Sequence, residues 1–116
     1  MSLSQSSLKM TIQTFNQQAE QLQTGLKSGE MAPETVQSAL PELQAKFQPI
    51  LTAQVDSGQW RSAITEMNRL LRLLQIDLQF LRTATQPDTQ QQRRQQSLQH
   101  LAQLQALGQG LLTLAA

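Results

Sequence analysis

The stretch Trp60–Ala84, WRSAITEMNRLLRLLQIDLQFLRTA, decides the fold. Trp60, Ile64, Met67, Leu71, Leu74, Leu78 and Leu81 recur in alternating steps of four and three, which places them on one face of a continuous helix. A second seam beside it, Ala63, Glu66, Leu70, Leu73, Asp77, Phe80 and Ala84, keeps the same rhythm and carries two carboxylates. A helix apolar over so wide an arc predicts neighbours on both sides. The opposite stripe, Arg61, Thr65, Asn68, Arg72, Gln75, Gln79 and Arg82, is wholly polar, and its only charges are positive. The expectation is a helical bundle with an organised basic surface, built for binding rather than catalysis.

Outward from this helix, turn residues divide the chain into pieces of similar length. Helix 1 is expected from about Leu3 to Lys27, with its seam at Leu8, Ile12, Phe15, Ala19, Leu22 and Leu26, and Ser28-Gly29 ends it. Helix 2 is expected from Pro33 to about Val55 on Val36, Leu40, Leu43, Phe47 and Ile50. Pro41 and Pro49 lie off that seam, so they should kink the helix toward solvent or split it. Asp56-Ser57-Gly58 reads as the next turn, helix 3 ends near Thr85, and Pro87 with Asp88 opens helix 4, which runs to the C-terminus. Each helix should be roughly 35 to 40 Å long at about 1.5 Å per residue. Matched lengths and short loops predict an all-α fold, an antiparallel up-down-up-down four-helix bundle forming a single domain over residues 1–116. The alternative is a three-helix core with a loosely packed fourth helix. The start of helix 4, PDTQQQRRQQS, has no large apolar residue, and its later seam, Leu98, Leu101, Leu104, Leu107 and Leu111, is interrupted by Gly108 and Gly110. Glycine costs about 1 kcal/mol relative to alanine within a helix, so the last residues are expected to fray.

Composition excludes several function classes. Aromatic residues make up 3% of the chain, so the core must be built from aliphatic side chains, and the absence of Cys removes disulfide and thiolate-metal chemistry. With a single His, no ligand cluster for zinc can be assembled, and His100 reads as an exposed or boundary residue of helix 4. No cofactor or metal is expected. No phosphate-binding loop, dinucleotide fingerprint or nucleophile elbow is present. Glu66 and Asp77 stand about 16 Å apart along their helix, too far for the paired carboxylates of a glycosidase. The N-terminus has no uninterrupted apolar core of a secretory signal and no run approaches a membrane span, so the expected location is the cytoplasm. The 23 Gln residues fall between apolar positions that keep helical phase, which reads as solvated helix surface rather than a disordered tract.

Net charge is +1, but all three Lys lie in the first half and all six Arg in the second. Without aromatic stacking residues the scattered arginines are a weak nucleic-acid signal. Arg61, Arg72 and Arg82 instead form a candidate surface for an acidic protein partner, against the plainer reading of a solvated face. Asp77 sits in the second seam with no cation three or four residues away on its own helix, so it needs a partner from another. Counting from the turn between helices 3 and 4 brings Arg94 to its level, with Arg93 next. The expected structural ion pair is therefore Asp77 with Arg94, or with Arg93; the rival reading leaves Asp77 and Phe80 partly open as anchors for a partner.

The run Glu66 to Ala84 contains the step Leu70-Leu71-Arg72-Leu73-Leu74, an Asp three residues before Phe80-Leu81, and then Gln86-Pro87 followed by a Gln/Arg-rich helix. It resembles the cyanobacterial heterocyst frequency control protein family, PatD, most densely over residues 66 to 94 and more weakly over the whole chain. The C-terminal LLTLAA departs from that family's aromatic- and Cys-bearing end. The resemblance implies a small non-enzymatic cytoplasmic regulator that binds the tubulin-like division GTPase FtsZ and modulates its assembly, linking cell division to heterocyst frequency. The alternative from the residues alone is a self-associating coiled-coil subunit or an adaptor bundle for another protein, as monomer or homodimer.

Overall fold

The computed structural model describes residues 5–115. It contains α1 (Gln5–Ser28), α2 (Pro33–Thr52), α3 (Gly58–Thr83) and α4 (Pro87–Leu114), with no strand among the described residues. The expected start of helix 1 at Leu3 lies outside that range. The first three seams are buried at every position read from the sequence, from Leu8 to Leu26, from Val36 to Ile50, and from Trp60 to Leu81. Packing follows from those faces. α1 lies against α2 and α4, and α3 lies against α2 and α4, while among the described residues the backbones of the diagonal pairs stay apart, so the four helices form a ring around one core. Short connections at 29–32, 53–57 and 84–86 force each helix to run opposite to the one before, and the bundle measures 47 × 24 × 21 Å. The Phe15 and Phe47 rings meet across α1 and α2 at a centroid separation of 5.7 Å. A fully buried aliphatic residue such as Leu74 is where one truncation does most harm: Leu74→Ala is expected to cost about 2–5 kcal/mol.

The connections depart from expectation in small ways that have local causes. Gly29 takes a φ of 84°, which turns the chain so that the Met31 N–H donates to the Gly25 carbonyl at 3.0 Å. The Met31 side chain then covers Gly25, where a β-carbon would collide with it. α2 is not split by Pro41 and Pro49; both lie on its exposed face, where water can satisfy the carbonyls that proline leaves unbonded. α2 stops at Thr52 rather than near Val55. Residues 53–57 are not helical, and alternate ones, Ala53 and Val55, pack partly against the core. Ser57 Oγ accepts the Trp60 N–H at 3.2 Å, which caps α3 and draws Gly58 into the helix instead of the turn.

The fourth helix corrects the sequence reading most. It is firmly packed, continuous to Leu114, and its buried face is Ser97, Leu101, Leu104, Gly108 and Leu111. Leu98 and Leu107, expected in the seam, are only partly buried. The reason is close approach: the buried side chain of Asn16 on α1 occupies the space where a β-carbon at position 108 would lie. Gly108 is thus a contact between helices rather than a weak point in one, and the three-helix alternative does not describe this fold.

Candidate functional site

The exposed face of α3 keeps the polarity read from its sequence. Arg61, Arg72 and Arg82 are all exposed. Arg61 and Arg72 form no side-chain hydrogen bond or ion pair with any described residue. Arg82 is tied to the start of α2: its guanidinium donates to Gln37 Oε1 at 2.6 Å and lies 4.0 Å from a Glu34 carboxylate oxygen. Gln37 in turn donates to Gln79 Oε1 at 2.9 Å, so the N-terminal turn of α2 and the C-terminal turns of α3 are bridged by one amide. Arg69, close to this stripe, is neutralised locally. It donates through Nε to Glu66 at 3.0 Å, and this hydrogen bond holds the Glu66 carboxyl below the usual carboxylate range. Both side chains are about half exposed to solvent, where such a pair contributes little to stability.

Asp77 is buried, with 6% of its surface exposed, and its partners come from α4 as the second-seam argument requires. Of the two arginines expected there, Arg93 takes the place and Arg94 does not, and a histidine joins it. The Arg93 guanidinium lies 3.6 Å from one carboxylate oxygen and His100 Nδ1 lies 2.7 Å from the other. The histidine contact is at ion-pair distance but off the direction of a well-formed hydrogen bond. Arg94 is directed elsewhere and donates to the Leu26 carbonyl at 2.8 Å. Matching levels along the helices identified the right turn of α4 but not the right side of it. Arg93, Ser97 and His100 share a four-three stripe toward α3, whereas Arg94 faces α1, whose last carbonyls lack helical partners and attract a cation. Asp77 is therefore not an open anchor.

Phe80 is open. Half of its surface is exposed, as is half of Ile76, one turn earlier on the same side of α3. These two side chains line a groove of about 370 Å³ with Gln37, Gln75 and Gln79. The Arg93 guanidinium sits 4.8 Å from the centroid of the Phe80 ring, so the residue that shields Asp77 also stacks on the exposed aromatic. Sequence reasoning missed Ile76 and His100. Ile76 lies on neither seam, and a large apolar residue off both seams was the available signal; His100 stands seven residues beyond Arg93, on the same stripe.

The remaining chemistry is sparse. Among the described residues no group of three or more His, Cys, Asp or Glu side chains could hold a metal ion, and no helix is long and apolar enough to cross a membrane. On α1, Asn16 buries both its amide atoms without a hydrogen-bond partner, beside a polar groove lined also by Gln13, Gln17, Gln105 and Gln109. Neither arrangement supplies a nucleophile or a paired acid and base.

Comparison with known proteins finds no match among curated proteins or solved structures. The sequence pattern of the CRR41 C-terminal domain matches residues 7–108, which takes in nearly all of the four helices described above. On that match, the chain belongs to the CRR41 C-terminal domain family.

Proposed function

We propose that this protein is a non-enzymatic cytoplasmic regulator that binds another protein through the exposed face of α3, and that the partner is the division GTPase FtsZ. The observation that carries the binding reading is the pair Arg61 and Arg72: exposed cations without a counter-charge among the described residues, on a helix whose first seam is filled within the chain. Charge left unpaired on one rigid face serves electrostatic encounter with an acidic surface. The choice of FtsZ rests on the resemblance of residues 66 to 94 to the PatD family, and with it come effects on assembly, cell division and heterocyst frequency. The CRR41 C-terminal domain description names a kind of domain and assigns it no partner.

Co-sedimentation with GTP-assembled FtsZ tests the proposal. The chain should pellet with the filaments and lose that association as salt rises. A chain that stays in the supernatant at low salt removes FtsZ as the partner.

A further inference from the structure

We infer that the groove at the C-terminal end of α3 takes a short acidic segment of a partner protein bearing a large apolar side chain, with Ile76 and Phe80 as its seat and Arg72, Arg82 and Arg93 as its cationic rim. This rests on the protein-binding reading above and is independent of which protein the partner is.

The apolar half of the site is defined by exposure. Ile76 and Phe80 are the large hydrophobic side chains of α3 left half open, whereas its first seam is buried by α2 and α4. Their neighbours Gln37, Gln75 and Gln79 place carboxamides around the groove, groups able to meet the backbone N–H and C=O of an extended or helical segment. Gln37 and Gln79 are held by their mutual hydrogen bond and by Arg82, so this wall is organised in advance.

The charged half selects the sign of the occupant. Arg72 lies one turn before Ile76 and has no partner among the described residues. Arg82 faces Glu34 only at 4.0 Å. Arg93 holds its guanidinium carbon 4.8 Å from the Phe80 ring centroid while Nη1 lies by Asp77 and Gln96, leaving donors of its fork for a further acceptor. A carboxylate beside the apolar anchor would complete this rim. A second copy of the chain fits poorly on two grounds. Its own Arg72 and Arg82 would be brought against these, and two half-exposed side chains fall far short of the roughly 800 Å² per partner that a stable association buries. Single-stranded nucleic acid would need a series of open aromatic faces, and the one ring here is already stacked on Arg93.

The test is to pan a phage-displayed library of random twelve-residue peptides against the intact chain, then measure enriched peptides by fluorescence anisotropy with wild type, Phe80→Ser, Ile76→Ser and the pair Arg72→Gln/Arg82→Gln. Enriched peptides should combine Asp or Glu with Leu, Ile, Phe, Met or Trp. Phe80→Ser should weaken them at least tenfold, and the arginine pair should weaken them and flatten their salt dependence. Circular dichroism should show unchanged melting, because the replaced side chains are exposed; Ile76→Ser provides the same reading should Phe80→Ser alter the fold. No enrichment over an empty support, basic or uncharged winners, or binding indifferent to both serine variants each overturn the inference. FtsZ co-sedimentation separates the two readings. If acidic peptides bind and FtsZ does not, this surface stands and FtsZ falls; if FtsZ pellets the Phe80→Ser and Ile76→Ser chains as well as wild type, FtsZ stands and this surface falls.

Discussion

Gly108→Ala tests the close approach of α1 and α4, and general rules and this structure predict opposite signs for it. In an ordinary helix interior, Gly to Ala stabilises by about 1 kcal/mol. Here the new β-carbon would meet the Asn16 carboxamide, which is itself 94% buried and enclosed without hydrogen-bond partners. Forcing a methyl into such a site costs about 1–3 kcal/mol, so Gly108→Ala should be neutral to about 2 kcal/mol destabilising. Asn16→Ala removes the obstruction together with two buried unsatisfied polar atoms, each of which costs about 1–3 kcal/mol to bury. That gain offsets the packing lost, and the single change should be close to neutral. In the double variant the propensity gain returns without the clash, giving a chain about 1 kcal/mol more stable than wild type and a coupling of about 1–3 kcal/mol between the sites. Urea denaturation of the four proteins measures this directly, provided the transitions share one slope. If Gly108→Ala alone stabilises by its full propensity and the two changes add, α4 does not approach α1 closely at this point.

Three further outcomes follow from the site. Asp77→Ala should destabilise by about 2–3 kcal/mol, somewhat less than the 3–5 kcal/mol of a fully enclosed pair because Arg93 is one-third exposed and can turn to water; a double-mutant cycle should couple it to Arg93→Ala and not to Arg94→Ala. Arg61→Gln/Arg72→Gln/Arg82→Gln should slow association with the proposed partner, FtsZ, and weaken its salt dependence while leaving the melting temperature nearly unchanged, and binding indifferent to the triple change moves the interface elsewhere. The Glu66 carboxyl is lowered in the folded chain by Arg69, so whatever the pair contributes is present above the ordinary carboxylate value of 4.5 and is lost as pH falls through the lowered one; acid titration of stability should show this small component in wild type and lose it in Arg69→Gln.

How much of this was legible in the sequence depended on what kind of residue fills each buried position. α1, α2 and α3 present Leu, Ile, Val, Phe, Met and Trp to the core, so their period reported their orientation without further information. α4 presents Ser97 and Gly108 at two of its buried positions, and both read locally as polar or as helix breakers. Their burial is a property of the facing helix: α4 comes close enough to α1 that a β-carbon at position 108 would meet the Asn16 carboxamide, and position 16 is distant in sequence from position 108. The same limit separates Arg93 from Arg94. Helical rise gave the level of Asp77 on α4, but which of two adjacent arginines turns toward it depends on the rotation of α4 about its axis, which is set by packing against both α1 and α3. The site followed a related pattern, its charge and Phe80 readable and Ile76 not. Arg61, Arg72 and Arg82 form a periodic stripe, whereas Ile76 stands alone between polar neighbours and belongs to no seam. A periodicity argument discards such a residue. In a helix whose first seam is already filled from within the chain, that same residue has no buried place to occupy, and with Phe80 one turn away it is where α3 has apolar contact left to offer a partner.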